Sequence, residues 1–139
     1  MKRRILLVDD DASLLQLLSE ALKEAGYVVQ TARSGEAGLE MAQTFNPDVV
    51  VLDLVLPKIN GFNVCAKLRA NQATAKTPII MMTTLTGRFP RLEGMASGCN
   101  EYIAKPFEVK ELLSCIENLL HRSPPPEQTD RFKRETKTG

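Results

Sequence analysis

Polar side chains follow four of the apolar runs in this sequence, at points where buried strands are expected to end. They are Asp9, Asp10, Asp53, Thr83 and Lys105. Three carboxylates at one edge would raise each other's pKa unless a cation joined them, and oxygen-only ligands suit Mg²⁺, with Mn²⁺ as an alternative. A hydroxyl and an ammonium group on the opposite side suit a phosphoryl group. The predicted chemistry is phosphoryl transfer onto Asp53, with the metal and Lys105 neutralising charge.

The elements that must position these residues alternate along the chain. The run from Val49 to Leu56, which is apolar except for Asp53, predicts a strand buried on both faces, and Pro57 stops its continuation. Further strands are predicted over 4–8, 27–32, 79–83 and 101–104, and helices over 12–25, 35–45, 62–70, 88–97 and 108–121. This alternation predicts an α/β fold, a parallel sheet with helices on both faces. The ends of the first and third strands then meet at a topological switch point, where such sheets bind ligands.

Composition limits the function classes. The 139 residues, 43% hydrophobic and 25% charged, suit one soluble domain. A net charge of +1 gives no electrostatic footprint for nucleic acid or for an anionic membrane. The apolar run near the N-terminus is too short for a signal peptide, and no run approaches the ~20 residues of a membrane span. Three scattered cysteines without a CxxC motif indicate a reduced, cytoplasmic setting.

The C-terminal segment differs in composition from the rest. Residues 123–139 begin with Ser123 and three prolines, and Phe132 is their only large apolar residue. Such a segment buries too little surface to offset the entropy of ordering, so we expect a domain over 1–122 followed by a disordered tail or linker. Either the chain is a single-domain protein acting through protein contacts, or it is part of a longer protein. Both possibilities stay open.

Taken in order, these motifs resemble the receiver domain of two-component response regulators, of the single-domain, chemotaxis-regulator type, from about residue 2 to residue 121. The matching motifs are Leu7-Val8-Asp9-Asp10-Asp11, Pro47-Asp48-Val49-Val50-Val51-Leu52-Asp53-Leu54-Val55-Leu56-Pro57, Gly61-Phe62, Pro78-Ile79-Ile80-Met81-Met82-Thr83-Thr84, Gly98 and Tyr102-Ile103-Ala104-Lys105-Pro106-Phe107. The resemblance implies a doubly wound, flavodoxin-like (βα)5 three-layer sandwich with strand order 2-1-3-4-5. It also implies that Asp53 accepts a phosphoryl group from the phosphohistidine of a sensor histidine kinase or phosphotransfer protein.

The resemblance assigns roles to the other site residues. Asp10, Asp53 and the backbone carbonyl of Val55 would ligate Mg²⁺, and Asp9 would act mainly through metal-bound water. The phosphoryl group would be contacted by Thr83 and Lys105, Tyr102 would move with the threonine, and the bond from Lys105 to Pro106 is often cis in this family. The switching surface would comprise the fourth helix, the fifth strand and the last helix. It would bind an output protein, contact a fused effector domain or form a phosphorylation-dependent homodimer.

Two positions near the predicted acceptor carry aliphatic side chains where the family varies. Val55 lies two residues after Asp53, and Leu85 lies two residues after Thr83. Because neither offers a polar group to orient water, we expect a long-lived phosphorylated state.

Two other interpretations are open at this point. Haloacid-dehalogenase-like phosphatases use an Asp-x-Asp pair after an apolar strand, which would make Asp9 the nucleophile and Asp11 the acid/base. A protein-binding module could also keep the fold without the switch, although the complete set of site residues argues against it. The receiver resemblance instead implies a protein that catalyses its own phosphorylation and dephosphorylation and acts as a switch rather than as a turnover enzyme.

Overall fold

The computed structural model describes residues 2–84 and 96–122, and the predicted elements are present there in the predicted order. They are β1 Arg4–Val8, α1 Ala12–Glu24, β2 Val28–Ala32, α2 Gly35–Phe45, β3 Val49–Asp53, α3 Gly61–Ala70, β4 Ile79–Thr83, β5 Glu101–Ala104 and a last helix, Val109–His121. Element ends differ from the predictions by about one residue, except that β3 ends at Asp53, three residues before the end of the predicted run at Leu56. The predicted helix over 88–97 lies outside the described residues except for positions 96 and 97, which are helical, and residues 123–139 lie outside them entirely.

The five strands form one parallel sheet in the order β2-β1-β3-β4-β5. This confirms the flavodoxin-like order. In the register of the two central strands, Ile5 lies beside Val49 and Val8 beside Leu52, so β1 and β3 end at the same edge. Within the described residues, no helix is both long and apolar enough to span a bilayer.

Alternate residues of the central strands supply two cores, one on each side of the sheet. Leu6, Leu52 and Met81 pack with the buried faces of α2 and α3. Ile5, Val51 and Ile80 face the other way and pack with α1 and the last helix. Every residue of β3 and β4 is buried, which explains why these two strands are apolar up to the polar residue that ends each of them, rather than alternating.

Side-chain caps fix where the helices begin. The carboxylate of Asp11 accepts hydrogen bonds from the backbone N–H groups of Ser13 and Leu14 at the start of α1, at 3.0 and 3.2 Å. Ser34 caps α2 by accepting from the N–H of Ala37. Each cap satisfies a donor that the first helical turn leaves open. The caps set where the loops after β1 and β2 give way to helix.

A partly buried guanidinium holds together the opposite edge of the sheet. Arg69, at the end of α3, donates to the carbonyl oxygens of Thr77 at 2.7 Å and Gly98 at 3.0 Å, and to the side chain of Asn100 at 2.8 Å. It also donates to two further carbonyls in the loop before β4. Burial lowers the pKa of this arginine. Arg69 thus fixes the starts of β4 and β5, whose other ends carry Thr83 and lead into Lys105.

Candidate metal and phosphoryl site

The ends of β1 and β3 bring three carboxylates together. Asp9 directly follows β1, Asp10 follows it, and Asp53 is the last residue of β3. One oxygen from each lies within 4.8 Å of the others, although 44 positions separate Asp9 from Asp53 in the sequence. Asp9 and Asp53 are buried, whereas Asp10 is exposed. The sequence-predicted acidic cluster is therefore a real cluster with one solvent-facing member.

Lys105 reaches this cluster from the far side, just beyond β5. Its Nζ lies 2.8 Å from Oδ2 of Asp9 and 3.5 Å from Oδ2 of Asp53. Burial alone would lower the pKa of Lys105, but its hydrogen bond to Asp9 and the charges of both carboxylates raise that pKa above its ordinary value. The ammonium group thus stays charged and is shared between two buried acids, with the shorter contact to Asp9.

The environment of Asp53 opposes its negative charge. Burial and the nearby charge of Asp9 raise the pKa of Asp53 to about 6, against an ordinary value of 3.8. Lys105 and the backbone N–H of Val55, which donates to Oδ1 of Asp53 at 3.3 Å, only partly offset this rise. The surroundings of Asp53 therefore disfavour its negative charge despite these two contacts. A cation bound at this carboxylate would offset its negative charge, and so would an electrophile that reacts with it.

The backbone of β3 is held from behind by the start of α3. A Cβ atom on Gly61 would lie 2.6 Å from the carbonyl oxygen of Asp53 and 2.7 Å from Cα of Leu54, so only glycine permits this approach. The N–H of Gly61 donates to the carbonyl of Leu54 at 2.8 Å. The intervening loop includes Lys58 at a φ of +69°, an uncommon backbone conformation for a residue with a side chain.

The remaining predicted site residues occupy different depths. Thr83 is fully buried at the end of β4, where its carbonyl accepts from the N–H of Lys105 at 2.7 Å. The peptide bond from Lys105 to Pro106 is cis. Val55 has an exposed side chain beside Asp53. Tyr102 lies within β5, half-buried against the core on the α2 and α3 side and in register with Met81 rather than at the strand end.

One contact at the site escaped the sequence analysis. The guanidinium of Arg33, in the loop after β2, donates to the backbone carbonyl of Asp10 at 3.0 Å. Arginine in a polar loop carries no pattern that predicts such a contact, since the contact depends on how far β2 extends beside β1.

Comparison with known proteins shows which family this chain belongs to. The model of the response regulator receiver domain family matches residues 5–117, which is most of the chain. This chain is a response regulator receiver domain. Among solved structures, it is similar to the Vibrio cholerae chemotaxis protein CheY4, with a TM-score of 0.83 and 35% identity over 86% of this chain and 100% of that one. A putative response regulator from Chloroflexus aurantiacus gives a TM-score of 0.83 at 36% identity, covering 88% of this chain and 100% of that one.

Sequence relatives of this receiver domain are longer proteins. It is 42% identical to the DNA-binding dual master transcriptional regulator RpaA of Synechocystis over 86% of this chain and 50% of the relative. It is 40% identical to the alkaline phosphatase synthesis transcriptional regulatory protein PhoP of Bacillus subtilis over 88% of this chain and 50% of the relative. The receiver domain thus spans about half the length of these curated relatives.

The phosphatase alternative finds no support in the geometry or in the family. Its acid/base, Asp11, uses its carboxylate to cap α1. The family match covers the strands that carry Asp53 and Thr83, which that alternative left without a role.

Proposed function

We propose that this receiver domain accepts a phosphoryl group on Asp53 in a Mg²⁺-dependent reaction with the phosphohistidine of a sensor histidine kinase or phosphotransfer protein. The observation that carries the proposal is the meeting of three carboxylates and Lys105 at the ends of β1, β3 and β5. A carboxylate that is buried beside a second carboxylate gains from reacting with an electrophile. Family membership supports the same role.

The residues present fit a divalent cation. The cluster offers only oxygen donors, close enough to share one ion, which is the ligand chemistry of Mg²⁺ or Mn²⁺. Asp10 and Asp53, with the backbone carbonyl of Val55, would hold the ion, and Asp9 would act mainly through metal-bound water. When bound, the cation supplies positive charge that offsets carboxylate repulsion and the charge of the phosphoryl oxygens.

The chain's own residues supply the rest of the reaction. An Oδ atom of Asp53 forms a bond to phosphorus, the bond from phosphorus to the donor histidine nitrogen breaks, and that nitrogen keeps the electron pair. Lys105 already lies 3.5 Å from Asp53 and pairs with the phosphoryl oxygens as charge arrives. The hydroxyl of Thr83 contacts the same group.

Phosphorylation would then bias a two-state surface. A dianion at Asp53 draws Thr83 and Lys105 toward it, and Tyr102 repacks against its neighbours. The surface that reports this change is β5 with the last helix and the helix predicted before β5. Its partner is a downstream output protein, a fused effector domain or a second copy of the domain, in a cytoplasmic setting. This segment makes no direct contact with nucleic acid or membrane.

The test is intact mass after incubation with acetyl phosphate, with and without Mg²⁺. Wild type should gain one phosphoryl group only with Mg²⁺, and Asp53→Asn should gain none. Asp48→Asn is the matched control, because Asp48 directly precedes β3, at the end opposite to Asp53. Its carboxylate accepts a hydrogen bond from the N–H of Arg4. A gain that survives Asp53→Asn would move the nucleophile to Asp9, and no gain in wild type would refute the proposal.

A further inference from the structure

Asp10 is held less firmly than the other two carboxylates. Asp9 accepts from Lys105 at 2.8 Å and from the N–H of Asp11 at 2.9 Å. Asp53 accepts from the N–H of Val55 and lies near Lys105. Among the described residues, Arg33 is the one that reaches Asp10 from another element, and it donates to the backbone carbonyl of Asp10 at 3.0 Å.

Arg33 itself stands on a fixed backbone. The residue before it, Ala32, is buried at the end of β2, and its carbonyl accepts from the N–H of Asp9 at 3.1 Å. The residue after it, Ser34, caps α2. The end of β2 therefore makes two consecutive contacts with the loop after β1, the first to Asp9 through the backbone and the second to Asp10 through the guanidinium.

We propose that Arg33 is a positioning residue for Mg²⁺ binding, in that it fixes the backbone of Asp10 so that its exposed carboxylate stays beside Asp9 and Asp53. The inference rests on the proposed function for the metal, and adds a residue that touches no ligand itself. Partners that orient metal-binding side chains typically change metal affinity by ~10–100-fold. Because Arg33 is exposed and its contact is to a carbonyl, we expect a smaller effect, about 3- to 10-fold.

The positive charge of Arg33 should affect Mg²⁺ binding in the opposite direction to its hydrogen bond. A guanidinium near the site repels a divalent cation, so removal of its charge would tighten binding if repulsion outweighed positioning. Screening at physiological salt weakens that repulsion between exposed charges, with a Debye length of about 8 Å. The sign of the change in Mg²⁺ affinity therefore separates the two effects.

The experiment is calorimetric titration of Mg²⁺ into unphosphorylated wild type, Arg33→Met and Arg33→Lys. The methionine variant loses both the donor and the charge and should bind Mg²⁺ about 3- to 10-fold more weakly. Arg33→Lys keeps a charged donor and should recover part of this loss. Lys23→Met, at an exposed position in the last turn of α1, is the matched charge control and should bind like wild type.

One further measurement separates an effect on Mg²⁺ binding from an effect on folding stability. Urea unfolding in EDTA should give the same midpoint for Arg33→Met as for Lys23→Met, since a merely structural role for Arg33 would lower it. Unchanged or tighter Mg²⁺ binding by Arg33→Met, or an affinity loss matched by a lowered midpoint in EDTA, would overturn the inference. Failure of wild type to bind Mg²⁺ would instead refute the proposed function on which the inference rests.

Discussion

The backbone and the side chain of Val55 affect the acceptor in different ways. The N–H donates to Oδ1 of Asp53, while the residue is 52% exposed and its side chain offers no polar atom. Replacement by asparagine places an amide beside the acceptor, where it can orient a water molecule. We expect Val55→Asn to lose its phosphoryl group several-fold faster than wild type, well short of the ~10²–10⁴ of a positioned general base.

This prediction is checked by following the phosphorylated mass over time in Mg²⁺ after removal of acetyl phosphate. Val55→Ala is the control, because it opens the same space without adding an amide. Equal acceleration in both variants would assign the effect to water access, and no acceleration in Val55→Asn would argue against a long-lived state caused by Val55.

Cys115 is the cysteine that lies partly exposed, whereas Cys65 and Cys99 are buried. Burial and the charge of Glu101 raise the pKa of the Cys115 thiol to about 11, from an ordinary value of 9.0. At pH 8 its thiolate is therefore about 100-fold scarcer than usual. A higher intrinsic nucleophilicity recovers roughly tenfold of this, so alkylation should be about tenfold slower than for an ordinary thiol.

Iodoacetamide labelling with peptide mass mapping tests this expectation across pH 7–11. The Cys115 rate should keep rising with pH up to about 11, since the pKa is raised and not lowered. Glu101→Gln removes the like charge and should speed labelling at pH 8. A rate that levels off near pH 9 in wild type would contradict the raised pKa.

At the scale of elements, the contact between α3 and the end of β3 limits what the site can tolerate. A methyl group at Gly61 would meet backbone atoms of Asp53 and Leu54, which cannot swing away as a side chain can. We expect Gly61→Ala to cost about 2–3 kcal/mol of unfolding free energy, as overpacking does. It should also weaken Mg²⁺ binding, because Asp53 must shift.

Gly26→Ala provides the matched comparison for Gly61→Ala. Gly26 has a φ of +103° and open space around its Cβ position, so its substitution costs backbone strain alone, about 1–2 kcal/mol. Chemical unfolding and Mg²⁺ titration of both variants separate the two causes. If Gly61→Ala binds Mg²⁺ as wild type does, the close approach is not what positions Asp53.

Sequence patterns were sufficient to predict the elements that are completely buried. The run that carries Asp53 could be recognised because both faces of β3 are buried. The contacts of Arg33 and Arg69 could not be predicted. Both join side chains to carbonyls of distant loops, and every residue offers a carbonyl, so no residue type marks the acceptor.

For the whole molecule, the site links the two central strands of the sheet. Asp10 follows β1 and Asp53 ends β3, so the unfolded chain lacks a site that needs both. A ligand that binds only the folded protein raises the unfolding free energy by about 1.4 kcal/mol for each tenfold increase in its concentration above Kd. Mg²⁺ should therefore stabilise the entire domain and not only the loops that contact it.

Urea unfolding over a Mg²⁺ series from EDTA to tens of millimolar measures this linkage. Wild type should follow the logarithmic rise, while Asp10→Ala should need a higher Mg²⁺ concentration before its stability rises, although its stability in EDTA changes little because Asp10 is exposed. Asp53→Asn should be more stable than wild type in EDTA, since burial and the charge of Asp9 oppose the charge that this variant removes. Glu40→Gln, an exposed acid on α2, should follow wild type. A wild-type unfolding free energy independent of Mg²⁺, or one that rises equally in Asp10→Ala, would show that the carboxylates at the strand ends do not bind the ion together.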